Sequence, residues 1–377
     1  MLSLTQPSRC AGDPLCLKIH ALEPTLPIST PDLCVTANCD KKLPSVHVVS
    51  GWHMFDGEAL GFLGRGGPID LRGGPCFYDW EDDAQGARKW VERVATTSAP
   101  GRLSGADCNK LLSWYPAFAG RYTRAWGRSY GPCKTEEMKK LAPGKDYYAS
   151  NGPLWTVCRP RALAAHDDAT GTGGVGHEAT PPFVMRTLYG DKVKIISALR
   201  NPIDRLETSF WLHTHYPNHY GKSADGLHKY VSEQTAAFDR CVAAHGARRC
   251  AFLFELIASE YSDVFFHCDQ FIRGLYSPFV EDWHAAFGKN LLVLRAEDAI
   301  DRPVPTRQRV WRFLGVRPPT ADAAASSLPA SSYASLHAKG VPMPMRNDTR
   351  ARLAAFYRPY NVRLAELLGD PAFRTWA

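Results

Sequence analysis

The 377-residue sequence lacks any uninterrupted run of the roughly 18 to 20 apolar residues that a helix needs to cross a bilayer. Residues 1 to 18 also lack the apolar stretch of a secretory signal. As written, the chain is therefore expected to be soluble and to have no membrane span.

A second absence concerns phosphate chemistry. No Gly-x-x-x-x-Gly-Lys-Ser/Thr loop is present, which argues against a kinase-like phosphotransferase. The 45 basic and 38 acidic residues are spread along the chain, and no basic tail indicates nucleic-acid binding. The formal charge of +7 is compatible with acidic ligands such as nucleotides or anionic polysaccharides.

Three closely spaced histidines, His213, His215 and His219, resemble metal ligands. Pro217 is expected to break the helix between them, and no cysteine or carboxylate cluster completes a site. Surface histidines, or contacts to an anionic glycan, are the better interpretation, and no metal is predicted.

The stretch from Gly171 to Gly176 matches the glycine fingerprint of dinucleotide-binding folds. Asp167 and Asp168 precede it, where such folds place an apolar strand. The segment is therefore predicted to be a loop.

Eleven cysteines are present, an odd number that leaves at least one without a partner. Cys241 and Cys250 are spaced so that a short helix-loop disulfide could close between them, which would require an oxidising compartment. Free thiols in a cytosolic protein remain an equal alternative on spacing alone.

An apolar content of 45% and 10 tryptophans indicate a large folded core. Residues 1–45, rich in Pro, Thr and Cys, are predicted to be an irregular N-terminal arm, and residues 46–377 a single domain. The domain is expected to open with a strand at Val46 to Ser50. Helices separated by loops are predicted between Asp82 and Tyr130.

The second half of the chain has a clearer alternation of apolar strands and amphipathic helices. The predicted elements are a strand at Lys192 to Leu199, helices from Pro202 toward Tyr216 and at Leu227 to His245, a helix at Pro278 to Phe287, a strand at Leu291 to Leu294, a helix ended by Gly315, and a last helix at Arg350 to Leu368. This order predicts an α/β domain with a parallel central sheet flanked by helices.

The most informative segment joins the strand ending at Leu199 to the helix that starts at Pro202. Amide groups at the start of a helix attract anions, and Arg200 at the strand end can bind phosphate with two parallel hydrogen bonds. The segment Leu199 to Phe210 resembles the 3′-phosphate motif of sulfotransferases, which implies that Arg200 and the hydroxyl of Thr208 bind a 3′-phosphate, with Ser209 as an alternative hydroxyl. An ordinary strand-turn-helix with solvated arginines is the competing interpretation.

Further segments resemble the carbohydrate sulfotransferases, in the same order along the chain. They are Glu178 to Pro181, Gly274 to Tyr276, Trp283 and Phe287, Glu297, Phe313 to Gly315, Lys339-Gly340, Phe356 to Asn361 and Leu367 to Asp370. The resemblance covers about residues 174 to 377 and is closest to the N-acetylgalactosamine 4-sulfate 6-O-sulfotransferases, followed by the heparan sulfate sulfotransferases.

The resemblance implies a P-loop-like sulfotransferase domain that uses 3′-phosphoadenosine 5′-phosphosulfate as co-substrate and needs no metal. It also implies an anionic or neutral polysaccharide as acceptor, and a location in the Golgi lumen behind a membrane anchor that is not found here. Lys339 and Gly340 would close over the nucleotide. Glu178 or His177 would be the base that activates the sugar hydroxyl.

The first half departs from the family pattern. The Lys-x-Gly-Thr-Thr loop that holds the 5′-phosphosulfate in the family is missing, and Ser50 to His53 is the candidate replacement. In a segment similar to heparan 3-O-sulfotransferases, Gly74 and Cys76 stand where that family has its catalytic glutamate and a histidine. A catalytically inactive sulfotransferase fold that binds glycan or nucleotide is therefore the alternative.

Three arginines near the last helix, Arg346, Arg350 and Arg352, have two interpretations. They would contact the cofactor or an acidic sugar chain, or they would form a solvated helix face.

Overall fold

The structure, a computed structural model, describes much of the second half of the chain and selected elements of the first. The described residues are 46–48, 69–73, 103–107, 124–140, 154–170, 182–183, 185–186, 193–213, 215–253, 269–316 and 344–376.

Five parallel strands form one sheet, in the spatial order β2-β3-β1-β4-β5. The strands are β1 (Val46–Val48), β2 (Ile69–Gly73), β3 (Leu103–Asp107), β4 (Lys194–Leu199) and β5 (Leu291–Arg295). β1 lies in the middle, with Val48 opposite Asp107 of β3 and Ile196 of β4. The predicted α/β class with a parallel sheet is confirmed.

Helices account for most of the remaining described residues. They are α1 (Arg124–Lys140), α2 (Arg159–Thr170), α3 (Pro202–Leu212), α4 (His215–Tyr220), α5 (Ala224–His245), α6 (Ala247–Leu253), α7 (Asp269–Ile272), α8 (Tyr276–Phe287), α9 (Ala296–Asp301), α10 (Pro303–Leu314) and α11 (Asn347–Leu368). A π-helical turn, Leu154–Cys158, leads into α2, and 3-10 turns lie at Gly288–Asn290 and Pro371–Thr375.

The strands β4 and β5 are apolar on both faces because helices cover the sheet. Every residue of β4 after Lys194 is buried, as expected for a parallel strand that is protected on both sides. On one face, residues of the two strands pack with α9 and α10 in a cluster made of Ile196, Ala198, Leu292, Leu294, Ala299, Val310 and Leu314.

A second, aromatic core joins α3, α5, α8 and α11. Tyr357 of α11 is fully buried in it and donates its hydroxyl to the Phe271 carbonyl at 2.8 Å. A Cβ at Gly274 would lie 2.7 Å from the Tyr357 ring, so this position accepts only glycine without displacing the ring. The tight approach fixes α11 against the turn that leads into α8.

Two disulfides lie within the described residues. Cys241 near the end of α5 is bridged to Cys250 in α6, so the structure has the disulfide rather than the free thiols that the spacing equally allowed. A second bridge, Cys133 to Cys158, ties α1 to the turn before α2 and spans a sequence separation of 25. No sequence pattern singled out that second pair.

Several predicted boundaries were wrong. The helix expected to run toward Tyr216 ends at Leu212, and Pro217 lies inside the next helix, α4, where a first-turn proline is tolerated because its missing N–H would have no helical partner. The region expected to be helical after Asp82 contains β3. The helix α2 precedes Gly171, so the strand that a dinucleotide fingerprint requires is not there.

Among the described residues, no helix is long and apolar enough to cross a membrane.

Candidate functional site

The strand order places a ligand crevice next to β4. The strands β1 and β4 are neighbours in the sheet. After β1 the chain continues to β2 on one side of this pair, whereas after β4 it continues to β5 on the other side. In open parallel sheets, ligands bind outside the carboxyl ends of strands at such a reversal point. Arg200 is the first residue after β4 and therefore lies at this crevice.

The structure brings the two predicted phosphate ligands together. Arg200 donates from Nη1 to the Thr208 hydroxyl at 3.2 Å, and that hydroxyl donates to the Asp204 carbonyl at 2.8 Å. The Arg200 side chain is only 7% exposed, so its orientation is fixed by packing. Ser209 is also buried, but the observed contact with Arg200 is made by Thr208, which makes Thr208 the better candidate of the two hydroxyls.

The backbone around Arg200 is held by a buried tyrosine and a half-buried glutamate from other elements. Tyr276, at the start of α8, donates its hydroxyl to the Arg200 carbonyl at 2.8 Å. Glu297, in α9, accepts the Asn201 N–H at 2.7 Å. Burial raises the pKa of Glu297, while the bond from Asn201 favours its charged form. These contacts fix the strand end from the direction of β5.

The helix that follows begins with a defined cap. The Asn201 side chain accepts the Ile203 N–H at 3.0 Å, and Pro202 occupies the first helical position. The positive end of the α3 dipole thus lies beside Arg200, and both favour a bound anion.

A carboxylate with a raised pKa lies one helical turn into α3. Glu207 is 8% exposed, and burial raises its pKa to about 7, with Asp204 adding to the rise. Arg350 of α11 opposes the shift by pairing with Glu207 at 3.4 Å, and Arg200 opposes it by its charge. Glu207 therefore changes protonation near neutral pH, close to the proposed anion ligand.

Glu207 should make folding stability depend on pH. Its unfolded pKa is near 4.5 and its folded pKa about 7, so its contribution is fully present below pH 4.5 and is lost as pH rises through 7. Glu207→Gln should remove this dependence, whose slope reaches at most about 1.4 kcal/mol per pH unit. Urea unfolding between pH 4 and 8 measures it. Glu281→Gln, which changes a more exposed carboxylate, should keep the wild-type slope, and equal slopes in all three proteins would contradict this assignment.

Other predicted site residues lie outside the described residues. They are the candidate bases His177 and Glu178, the closing pair Lys339 and Gly340, the candidate first loop Ser50 to His53, and the pair Gly74 and Cys76, which stand where relatives have a glutamate and a histidine. Their roles stay predictions.

Of the three arginines near α11, Arg346 and Arg350 pair with carboxylates of neighbouring helices, whereas Arg352 donates from Nη1 to the Thr235 hydroxyl at 3.5 Å. Arg346 pairs with Asp225 of α5 at 2.9 Å and also with Asp348. Arg350 pairs with Asp204 at 3.1 Å as well as with Glu207. Arg346 and Arg350 therefore connect α11 to α5 and α3 through ion pairs at the surface, where both side chains stay exposed.

The histidine triplet has aromatic neighbours. The His213 ring meets Tyr216 edge-on at 6.0 Å, and the His219 ring meets Tyr220 at 4.6 Å. His215 lies in α4. Within the described residues, no group of three or more His, Cys, Asp or Glu side chains is arranged to hold a metal ion.

Comparison with known proteins agrees with the motif analysis. The chain is 30% identical to human carbohydrate sulfotransferase 15 over 202 residues, which is 52% of this chain and 34% of the human protein. The mouse protein of the same name matches at 30% and the rat protein at 29%, over the same shares of each chain. The matched half of this chain is thus similar in sequence to proteins named carbohydrate sulfotransferase 15.

The chain spans about a third of the length of the curated proteins it matches. No family model matches it. A solved sulfotransferase from Alicyclobacillus acidocaldarius aligns with 88% of this chain and 98% of its own, at 16% identity and a TM-score of 0.43.

In the sequence, Tyr276 and Glu297 stand out only as parts of the pattern that resembles the sulfotransferases. Their contacts with the backbone of Arg200 and Asn201 cross 76 and 96 residues of sequence. The contacts form because β4 and β5 pair in a register that places Leu199 opposite Arg295. The residues that follow the two strands therefore lie close together.

Proposed function

We propose that this protein is a carbohydrate O-sulfotransferase that uses 3′-phosphoadenosine 5′-phosphosulfate as donor. The supporting observation is the position of Arg200, which follows β4 at the reversal point of the sheet and contacts the Thr208 hydroxyl at 3.2 Å. The similarity to proteins named carbohydrate sulfotransferase 15 supports both the reaction and a sugar acceptor. The acceptor is a hydroxyl of a glycosaminoglycan-like polysaccharide, and the site of action is the Golgi lumen.

In this proposal, Arg200 and Thr208 bind the 3′-phosphate of the donor. The helix start at Asn201 and Pro202 adds favourable electrostatics for the same group. Lys339 and Gly340 close over the nucleotide. No metal is part of the mechanism.

The reaction is a direct transfer. The sugar oxygen forms a bond to sulfur as the bond from sulfur to the 5′-phosphate oxygen breaks, and adenosine 3′,5′-bisphosphate leaves with the electron pair. Glu178 or His177 removes the hydroxyl proton. The residues that stabilise the leaving phosphate belong to the altered first loop, for which His53 is a candidate.

Calorimetric titration with adenosine 3′,5′-bisphosphate tests the proposal, with 5′-AMP as the control that lacks the 3′-phosphate. Micromolar binding that weakens at least about tenfold for 5′-AMP is expected, since an arginine bonding a phosphate contributes more than 1.4 kcal/mol. Equal affinity for the two nucleotides would contradict the assigned phosphate site.

Turnover separates the enzyme from an inactive relative. Transfer of labelled sulfate from the donor to desulfated chondroitin or heparan should be detected with purified protein. Nucleotide binding without transfer to any acceptor in such a panel would instead indicate a non-catalytic protein that retains the fold.

A further inference from the structure

A groove of about 720 Å³ runs between α5 and α11, on elements not assigned to the proposed transfer site. Its volume falls within the roughly 300 to 1,000 Å³ typical of small-molecule sites. Its polar lining includes His228 and Asp239 from α5 and Asp348, Arg352 and Tyr360 from α11. Aromatic and ionisable side chains therefore face the same space.

The charges of the groove nearly cancel. Arg352 lies on the α11 side of the groove and Asp239 on the α5 side. Burial raises the pKa of Asp239, and the charge of Arg352 opposes that rise. Asp348 is already paired with Arg346, which also binds Asp225. The groove itself is lined by two carboxylates, Asp239 and Asp348, and by one guanidinium group, Arg352. Although the whole chain carries a formal charge of +7, a sulfated or uronate-rich segment would meet net repulsion here.

Two aromatic rings provide apolar surface in the groove. Phe356 and Tyr360 lie one helical turn apart on α11, with ring centroids separated by 5.9 Å. Both are only partly buried, so ring surface is available to a ligand. Burial, together with nearby Asp239, raises the pKa of Tyr360 to about 12, so its hydroxyl keeps its proton and can donate a hydrogen bond.

The groove also supplies hydrogen-bond acceptors. The carboxylates of Asp239 and Asp348 line it, together with Ala355 and Pro359 of α11. Carboxylate oxygens only accept hydrogen bonds, which suits a ligand that brings several O–H or N–H donors.

We propose that the groove binds an uncharged N-acetylhexosamine unit of the acceptor chain, at a distance from the transferred sulfuryl group. Sugar hydroxyls and the acetamido N–H would donate to the carboxylates, and Arg352 would donate to sugar oxygens. The apolar face of the sugar ring would lie on Phe356 and Tyr360. This inference rests on the proposed carbohydrate acceptor.

The place of α11 in the fold supports a second subsite of this kind. Arg350, two residues before Arg352, contacts Asp204 and Glu207 in the first turns of α3. The same short stretch of α11 therefore contacts both the helix that begins at the proposed phosphate site and the groove. A polysaccharide is long enough to contact two such places.

Saturation-transfer NMR and titration with N-acetylated chitotetraose, a neutral chain of N-acetylhexosamines, test the proposal. Arg352→Gln and Asp239→Asn change exposed side chains, and each should raise the dissociation constant at least about tenfold. Arg363→Gln is the matched control, because Arg363 lies on the same helix but pairs with Glu281 at 2.7 Å outside the groove. Unchanged affinity in both groove variants would overturn the proposal, as would tighter binding of a chondroitin 4-sulfate tetrasaccharide than of the neutral chain.

Nucleotide binding distinguishes failure of this inference from failure of the proposed function. Arg352→Gln and Asp239→Asn should bind adenosine 3′,5′-bisphosphate as the wild type does. If neutral saccharide does not bind while the nucleotide does, the groove assignment is wrong and the sulfotransferase proposal stands. If saccharide binds through these residues while the nucleotide fails to bind, the groove assignment stands and the proposed reaction is wrong.

Discussion

Replacing Arg200 with alanine is expected to weaken the binding of adenosine 3′,5′-bisphosphate about 30-fold or more, which corresponds to about 2 kcal/mol. The guanidinium at the end of β4 contacts the Thr208 hydroxyl at 3.2 Å and would form charge-assisted bonds to the 3′-phosphate. The affinity for 5′-AMP should not change, because that nucleotide lacks the group that Arg200 binds. Calorimetric titration of both nucleotides against both proteins measures the difference.

Three further variants show whether the effect belongs to the phosphate contact. Arg200→Lys keeps the charge but loses the planar pair of donors, so it should recover only part of the affinity. Thr208→Val should weaken binding, whereas Thr208→Ser should preserve it. Arg302→Ala removes an exposed arginine paired with Asp298 and should bind normally. If Arg200→Ala unfolds the protein, Arg200→Lys and Thr208→Val still test the site. Wild-type affinity in both variants would contradict the proposal that Arg200 and Thr208 bind the 3′-phosphate.

The strand end and helix start around Arg200 were predictable because their signals are local. An apolar strand, a strand-end arginine, an asparagine cap and a proline at the first helical position occur within ten residues of sequence, and each has its own physical meaning. Thr208, whose hydroxyl contacts Arg200, lies only eight residues later, in the helix that follows the strand. The ends of α5 and α10 were predictable for the same reason, because helices often end at a glycine. Gly246 and Gly315 follow these helices, and both have a positive φ.

The rest of the site depends on contacts between distant segments. Glu207 has no unusual sequence context. Burial raises its pKa, and the guanidinium of Arg350, 143 residues away, opposes that rise. The groove lies between α5 and α11, two helices that are far apart in the sequence. The Arg346–Asp225 ion pair and the aromatic core join them. Pro217 was misread because a proline ends a helix in its interior but is tolerated in its first turn, and sequence alone did not show where α4 begins.

Removing the Cys241–Cys250 disulfide should lower the free energy of unfolding by about 3 kcal/mol. Both sulfurs are fully buried, and the bridge joins the end of α5 to α6 across a sequence separation of 9. The loss arises because the unfolded chain regains freedom that the closed loop denied it. Urea unfolding of the Cys241→Ala, Cys250→Ala double variant against the wild type, both in the oxidised state, measures it.

The second bridge provides the internal control for this prediction. Cys133 and Cys158 join different elements, α1 and the turn before α2, so they remain intact in the double variant. A reductant should therefore destabilise the wild type more than the double variant, and the excess should equal the effect of the substitutions. Because α5 forms one wall of the groove, the double variant should also bind N-acetylated chitotetraose more weakly if the bridge fixes that wall. Equal stability with and without the bridge would mean that the packing of Phe252 and Phe279, whose ring centroids lie 4.8 Å apart, holds α6 in place unaided.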